Sequence, residues 1–460
     1  MTRQPPLFCG WRELSRHGNQ LSHWLAQNKG ELEPVESPVF GKVTRVTGAA
    51  IEARGLTAPV GALCSIEILG GKEQLPAEVV GFVGDTTLLI PFQGVGGLSP
   101  GARIIMRDAS STGRLSAELI GRVIDGFGNP LDGRGEINYA EKADLDGVAL
   151  NPMERGPIKE VLDTGIKAIN TALTIGRGQR IGLIAGSGVG KSVLLGMLTR
   201  NTEADVVVIA LIGERGREVK DFISDTLGRE GMARAIVVAA PANVSPVERI
   251  KAAKLSHLIS EYFRDQGKNV LLLFDSLTRV AHAQREIGLA SGEPPTTKGY
   301  PPSVFSLIPN FIERPGVGRG GRGSITSFYT VLAEGDDRSD PIVDISRASL
   351  DGQIMLTREL ADAAHYPAID LAGSISRVAN TLLQPAQLKL AQKLRRLWTL
   401  YAQKEDFINV GAYETNSNPD LDEAIRYRQD MSLFLQQRDE EKFSFQEGWR
   451  QLDLLLGGDR

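Results

Sequence analysis

The sequence predicts an α/β protein whose mostly parallel sheet lies between a small β-rich domain and a helical domain. From about Gly121 to Arg377, continuous apolar runs alternate with helical stretches. From Val39 to Met106, short β-rich runs follow one another, punctuated by Gly, Pro and Asp. After Val378 the strand-like runs stop and long helical stretches take over. Continuous apolar runs mark strands buried on both faces, which is the signature of a parallel sheet covered by helices.

Composition sets the frame. The chain has 460 residues, 42% hydrophobic and 23% charged, enough for two to four domains at ~100–200 residues each. Its formal net charge of −4 argues against a strongly basic nucleic-acid binder. A membrane span needs roughly 18 consecutive apolar residues, and stretches such as Val206 to Ile212 fall far short. Met1 to Leu7 carries Pro5, Pro6 and no apolar run, so no secretory signal is expected. Cys9, Cys64 and the histidines lack metal-ligand spacing; a reduced, cytoplasmic protein without zinc is expected.

Residues Trp11 to Gln27 read as a short amphipathic helix with Trp11, Leu14, Leu21, Trp24 and Leu25 on one stripe. Two tryptophans near a terminus favour a partner-docking helix over one folded back on its own domain. Strands follow at Gly41 to Val46, Cys64 to Ile68, Ala77 to Phe82, Thr86 to Ile90 and Arg103 to Met106. That spacing fits a small barrel or a sandwich. Arg107 to Leu115, rich in Ser, Thr and Gly, reads as a linker. The core strands are Arg180 to Ala185, Asp205 to Ile212, Ala235 to Ala240, Asn269 to Phe274 and Ser324 to Leu332. Helices are expected at Pro385 to Gln403 and Leu421 to Gln437.

The chemistry centres on Gly186, Ser187, Gly188, Val189, Gly190, Lys191, Ser192 and Val193, between an apolar strand and a helical run. That is the strand–loop–helix setting of a phosphate-binding loop. Its glycines let backbone N–H groups close around the β-phosphate, and the helix N-terminus adds positive potential. Lys191 can reach the β- and γ-phosphates, and the Ser192 hydroxyl can ligate Mg²⁺. Ala185 stands where the strict motif has Gly. Asp275, closing the run Leu271 to Phe274, can hold Mg²⁺ through water. Glu214 ends the strand Asp205 to Ile212, taken as the neighbour of the loop strand, and a carboxylate there can polarise an attacking water.

With the loop, Gly213-Glu214-Arg215, Asp275 to Arg279 and Ser374 to Arg377 together, the chain resembles the catalytic subunits of rotary ATP synthases. It resembles still more the flagellar type III protein-export ATPases, through Ala185 to Met197, Ile212 to Ile223, Gly292 to Val304 and His365 to Asp370. The resemblance covers about Gly41 to Leu455. It implies a parallel-sheet P-loop NTPase core with an N-terminal β-barrel and a C-terminal helical domain. The expected boundaries are 1–38 for a partner-binding helical segment, 39–110 for the barrel, 111–380 for the ATPase and 381–460 for the helices.

The resemblance also assigns roles. Glu214 matches the water-activating carboxylate, and Arg215 and Arg279 match arginines lining the catalytic site. Tyr366 matches an aromatic packed on adenine, with Tyr413 as the pocket's other wall. Arg377 matches an arginine finger reaching the neighbouring subunit's γ-phosphate. One chain carrying loop, carboxylate and finger can build every site of a homo-hexamer. The implied function is ATP hydrolysis, with Mg²⁺, that energises flagellar export at the cytoplasmic face of the export apparatus. Implied partners are a regulator at the N-terminal segment, a stalk-like protein at the C-terminal domain, chaperone–cargo complexes and the export gate. No nucleic acid is expected; an RNA translocase of the transcription-terminator type and a synthase-type ring subunit are the alternatives. Gly316 to Gly323, with Arg319 and Arg322, reads as a mobile loop between helix and strand, and Glu293 to Pro302 as a rigid loop facing a ring pore.

Overall fold

The computed structural model describes residues 40–68, 71–148, 150–186, 188–333 and 339–458. The helix expected at Trp11 to Gln27 lies outside the described residues.

Six strands, β1 (Phe40–Thr47), β2 (Ala50–Arg54), β3 (Leu63–Ile68), β4 (Glu73–Val83), β5 (Thr86–Pro91) and β6 (Arg103–Asp108), close into a barrel in the order β1-β2-β5-β4-β3-β6. Alternate residues point inward, so Ile51, Ile66, Ala77, Val79, Leu89 and Ile104 fill the interior with 0% exposure. Closure settles barrel against sandwich. Strand β2, whose sequence AIEAR holds two charges in five residues, was not expected. The segment Arg107 to Leu115 is not a linker throughout. It finishes β6 and then forms β7 (Thr112–Leu115), which pairs with β9 (Glu141–Asp144). A Cβ at Gly113 would lie 2.6 Å from Leu258 Cδ2, so any larger residue there would displace the leucine methyls packed under β7.

The central sheet adds β8 (Val123–Ile124), β10 (Arg180–Ala185), β11 (Val206–Ile212), β12 (Ala235–Ala240), β13 (Asn269–Asp275), β14 (Gly316–Val317), β15 (Ser324–Leu332), β16 (Gly352–Leu356) and β17 (Ile369–Ser376). Its order is β17-β16-β10-β15-β13-β11-β12-β8, with β14 beside β15. All pairings are parallel except β14 on β15 and β17 on β16. The loop strand β10 has β15 and β16 as neighbours. Strand β11 was expected there, but β15 and β13 stand between them. Strand order is a non-local property that no single segment encodes.

The helices used below are α1 (Lys191–Asn201), α2 (Gly216–Asp221), α3 (Pro246–Asp265), α4 (Leu277–Ala290), α5 (Pro302–Glu313), α6 (Pro341–Ser349), α7 (Pro385–Asn409), α8 (Pro419–Leu435) and α9 (Phe445–Leu456). Both faces of the sheet are dry. On β11, Val207, Ile209 and Leu211 enter one core, and Val206, Val208, Ala210 and Ile212 enter the other. The first core continues into α7, α8 and α9 through Leu394, Trp398, Met431 and Leu452. Helix α9 was not expected; its Trp449 and Leu452 seal this junction.

The segment Gly316 to Gly323 is fastened rather than loose: β14 pairs with β15, Arg319 Nε meets Glu154 at 2.7 Å, and Gly156 N donates to the Gly318 carbonyl. Glu293 to Pro302 is held by Ser303 N donating to Glu293 Oε2 at 3.1 Å and Thr296 Oγ1 donating to the Tyr300 carbonyl at 2.6 Å. No described helix is long and apolar enough to cross a membrane.

Candidate active site

In an open parallel sheet, ligands gather at the carboxyl ends of the strands. Three strands deliver the site there. Strand β10 runs into the glycine-rich turn, where Gly188 (φ 80°) and Gly190 (φ 87°) take left-handed conformations and Gly190 caps α1. Val189 is buried at 1% exposure and anchors the turn from beneath, while Ser192 and Val193 are exposed in the first turn of α1. Gly186 is buried at the strand end; Ser187 lies outside the described residues. Beside the turn, Ala185, Gly186, Thr357, Arg358 and their neighbours line a cavity of about 70 Å³.

Lys191 Nζ sits 2.7 and 2.8 Å from the two Asp275 carboxylate oxygens and 3.7 Å from Glu214 Oε1. Asp275 ends β13, and Glu214 follows β11 after Gly213. Thr330 on β15 donates to Asp275 Oδ1 at 2.5 Å. Thr330 was missed from the sequence: a threonine inside a buried apolar strand carries no spacing signal. The Asp275–Ser276 peptide is cis, and Ser276 Oγ caps α4 by accepting from Arg279 N.

Glu214 has distinctive electrostatics. Burial pushes its carboxyl above the ordinary glutamate range; Lys191 opposes that shift, and Asp275 reinforces it. Its Oε1 is buried without a hydrogen-bond partner. Such an acceptor is costly unless a water or substrate group satisfies it. Arg279 packs directly under this turn, since a Cβ at Gly213 would lie 2.7 Å from Arg279 Cβ. Arg279 Nε is likewise buried without a partner. One ammonium between two carboxylates, with a guanidinium alongside, is suited to bind a polyphosphate and orient a water against it.

The ring of Tyr366 lies over the turn: a Cβ at Gly190 would meet its Cδ1 and Cε1 at 3.3 Å. Tyr366 is 45% exposed and precedes a cis Pro367. The other sequence-selected residues do not join this cluster. Arg215 has a side chain 85% exposed and pairs with Glu218 at 3.4 Å. The Tyr413 hydroxyl donates to Asp422 Oδ1 at 3.0 Å, tying the loop after α7 to α8. Arg377 directly follows β17, which runs antiparallel to β16, and Ser376 lies level with Gly352 and Ile181. That places Arg377 at the amino-terminal edge of the sheet, opposite its own loop.

A family profile described as the ATP synthase alpha/beta family, nucleotide-binding domain, matches residues 165–376. The same family's beta-barrel domain matches 43–107, and the T3SS EscN ATPase C-terminal domain matches 383–453. The chain is 51% identical over 429 residues to a flagellum-specific ATP synthase of Pseudomonas aeruginosa, covering 92% of this chain and 95% of that one. It is 51% identical over 450 residues to that of Salmonella typhimurium, covering 95% and 99%. Among solved structures, the assembled ATPase EscN from the enteropathogenic E. coli type III secretion system superposes with a TM-score of 0.85 at 40% identity, covering 90% of this chain and 99% of that one. EscN in complex with its central stalk EscO gives 0.82 at 40% identity, with the same coverage.

Proposed function

The chain belongs to the flagellum-specific ATP synthase family, homologous to the type III secretion ATPases and to the catalytic subunits of rotary ATPases, and on that premise we propose that its sites are completed between adjacent copies of a homo-hexameric ring. It is an ATP-hydrolysing enzyme of the export family, coupling hydrolysis to substrate export. The observation that carries the site assignment is the convergence of Lys191, Asp275 and Glu214 at three strand ends.

In this reading the turn's N–H groups and Lys191 bind the β- and γ-phosphates, and Tyr366 stacks on the adenine. Glu214 accepts a hydrogen bond from the attacking water through its unsatisfied Oε1 and takes its proton. Arg279 holds the Glu214 turn in place, and Arg215, exposed on the surface, faces the adjoining copy. Arg377 reaches the neighbour's γ-phosphate. Tyr413 borders the adenine side through the loop after α7.

Ser192 and Asp275 fit Mg²⁺: the Ser192 hydroxyl would hold it directly and the Asp275 carboxylate through water, both being hard oxygen donors. When bound, the ion neutralises charge developing on the β- and γ-phosphates.

The outer assignments extend the same reading. The C-terminal helices meet a stalk-like protein; the similar EscN is solved in complex with its central stalk EscO. The segment 1–38 holds a regulator that tethers the enzyme to the export gate, and export chaperone–cargo complexes are handled at the cytoplasmic face of the export apparatus. Domain limits of 39–110, 111–380 and 381–460 serve this division of labour.

The test is steady-state hydrolysis across protein concentration, with and without single-stranded RNA. Specific activity that rises with concentration and ignores RNA supports the ring. Full activity in a protein shown to be monomeric at the assay concentration refutes sites shared between copies, and activation by RNA favours a nucleic-acid translocase.

A further inference from the structure

We propose that Arg347 is a second in-trans arginine, contacting the phosphates bound by the neighbouring copy beside Arg377. This rests on the shared-site ring above. Arg347 lies in the last turn of α6 and is exposed. Its carbonyl accepts from Arg377 Nη2 at 3.3 Å, while Arg377 N donates to the Asp351 carbonyl at 3.0 Å. The end of α6 therefore carries one arginine and holds the other.

Charge balance on this edge points the same way. Arg180 pairs with Asp351 at 2.9 Å and Glu313 at 2.6 Å, Arg177 with Glu203 at 3.1 Å, and Arg319 with Glu154 at 2.7 Å. Among the described residues, neither Arg347 nor Arg377 has an ion-pair partner. Neither guanidinium is neutralised by a carboxylate among the described residues, so both are free to pair with an anion supplied from outside.

When the amino-terminal edge of one sheet meets the carboxyl-terminal edge of the next, that anion is the neighbour's phosphate chain. The exposed carboxylates near the Glu214 turn are a poorer match. Glu218 already pairs with Arg215 at 3.4 Å, and Asp221 with Arg217 at 3.3 Å. The planar guanidinium fork suits phosphate oxygens, which it can grip with two bonds.

The experiment uses full-length rings. Arg347→Ala should cut turnover by about 10²-fold, the scale of losing one preorganised charge-stabilising donor. It should leave ADP affinity unchanged while weakening the ADP–aluminium fluoride complex, and Arg347→Lys should restore part of the loss. Mixed with Glu214→Gln in rings shown to exchange labelled subunits, Arg347→Ala should regain activity. Wild-type turnover, or equal weakening of ADP and its fluoride complex, overturns the proposal. So does lost assembly that Glu218→Arg alters in the Arg347→Glu background, which would make Arg347 a protein contact. The control is Arg377→Ala mixed with Glu214→Gln. If that pair regains nothing, the shared-site ring itself fails. If it recovers and the Arg347→Ala mixture does not, only the role of Arg347 fails.

Discussion

Tyr366 and Arg377 flank the same strand from opposite ends. Tyr366 leans on Gly190 in its own loop, and Arg377 emerges at the far edge of the sheet. Arg377 lies level with the start of β10, and the six residues of that strand, Arg180–Ala185, span about 20 Å before the loop begins. No side chain bridges that distance, so Arg377 cannot serve the nucleotide held by its own Lys191. The placement supports in-trans action without any partner in view.

Mixing follows directly. Arg377→Ala should bind nucleotide through its intact loop yet barely hydrolyse it, with a loss of ~10³–10⁵. Glu214→Gln lacks the other half of the interface. Mixed rings place an intact Arg377 beside an intact Glu214, so part of the activity should return. Labelled rings that mix but stay inactive would sink the in-trans role.

Lys191→Ala should abolish hydrolysis and weaken nucleotide binding, because the ammonium facing the phosphates is gone. The variant also leaves the Asp275 and Glu214 carboxylates without their shared cation. Normal turnover in the purified, folded variant would contradict the assignment of the loop.

Glu214→Gln should keep nucleotide affinity and lose turnover, since the amide cannot take a proton from water. In the unaltered enzyme, burial raises the Glu214 pKa, and the base works only when ionised. The acid limb of kcat/KM should therefore lie above the ordinary glutamate range. A limb at the ordinary glutamate value, or a Gln variant that fails to bind ATP, would remove Glu214 from this role.

A stability test concerns Glu248, in the first turn of α3. Burial, reinforced by Asp125, pushes its carboxyl up to about 7. The folded pKa exceeds the unfolded one, so the native state binds the extra proton. The favourable contribution is complete below the unfolded pKa and is lost as pH rises through about 7. Glu248→Gln should match the unaltered protein in unfolding free energy near pH 4 and exceed it near pH 8 by on the order of 1 kcal/mol after solvent screening, read as a higher Tm at pH 8 only. A Tm difference that does not change with pH would mean Glu248 titrates normally.

The glycine-rich turn, the strand-ending Asp275 and the long helices α7 and α8 were legible because each is written in contiguous residues. Local backbone needs dictate them: left-handed turns demand glycine, buried parallel strands demand unbroken apolar runs. Tertiary structure alone decided that β15 and β13 separate β10 from β11. It brought Thr330 onto Asp275 and closed the first six strands into a barrel. It also set Arg377 against the Arg347 carbonyl, with neither arginine ion-paired among the described residues. These depend on which distant segments become neighbours, and that follows from the joint burial of all the apolar surfaces rather than from any one stretch of sequence.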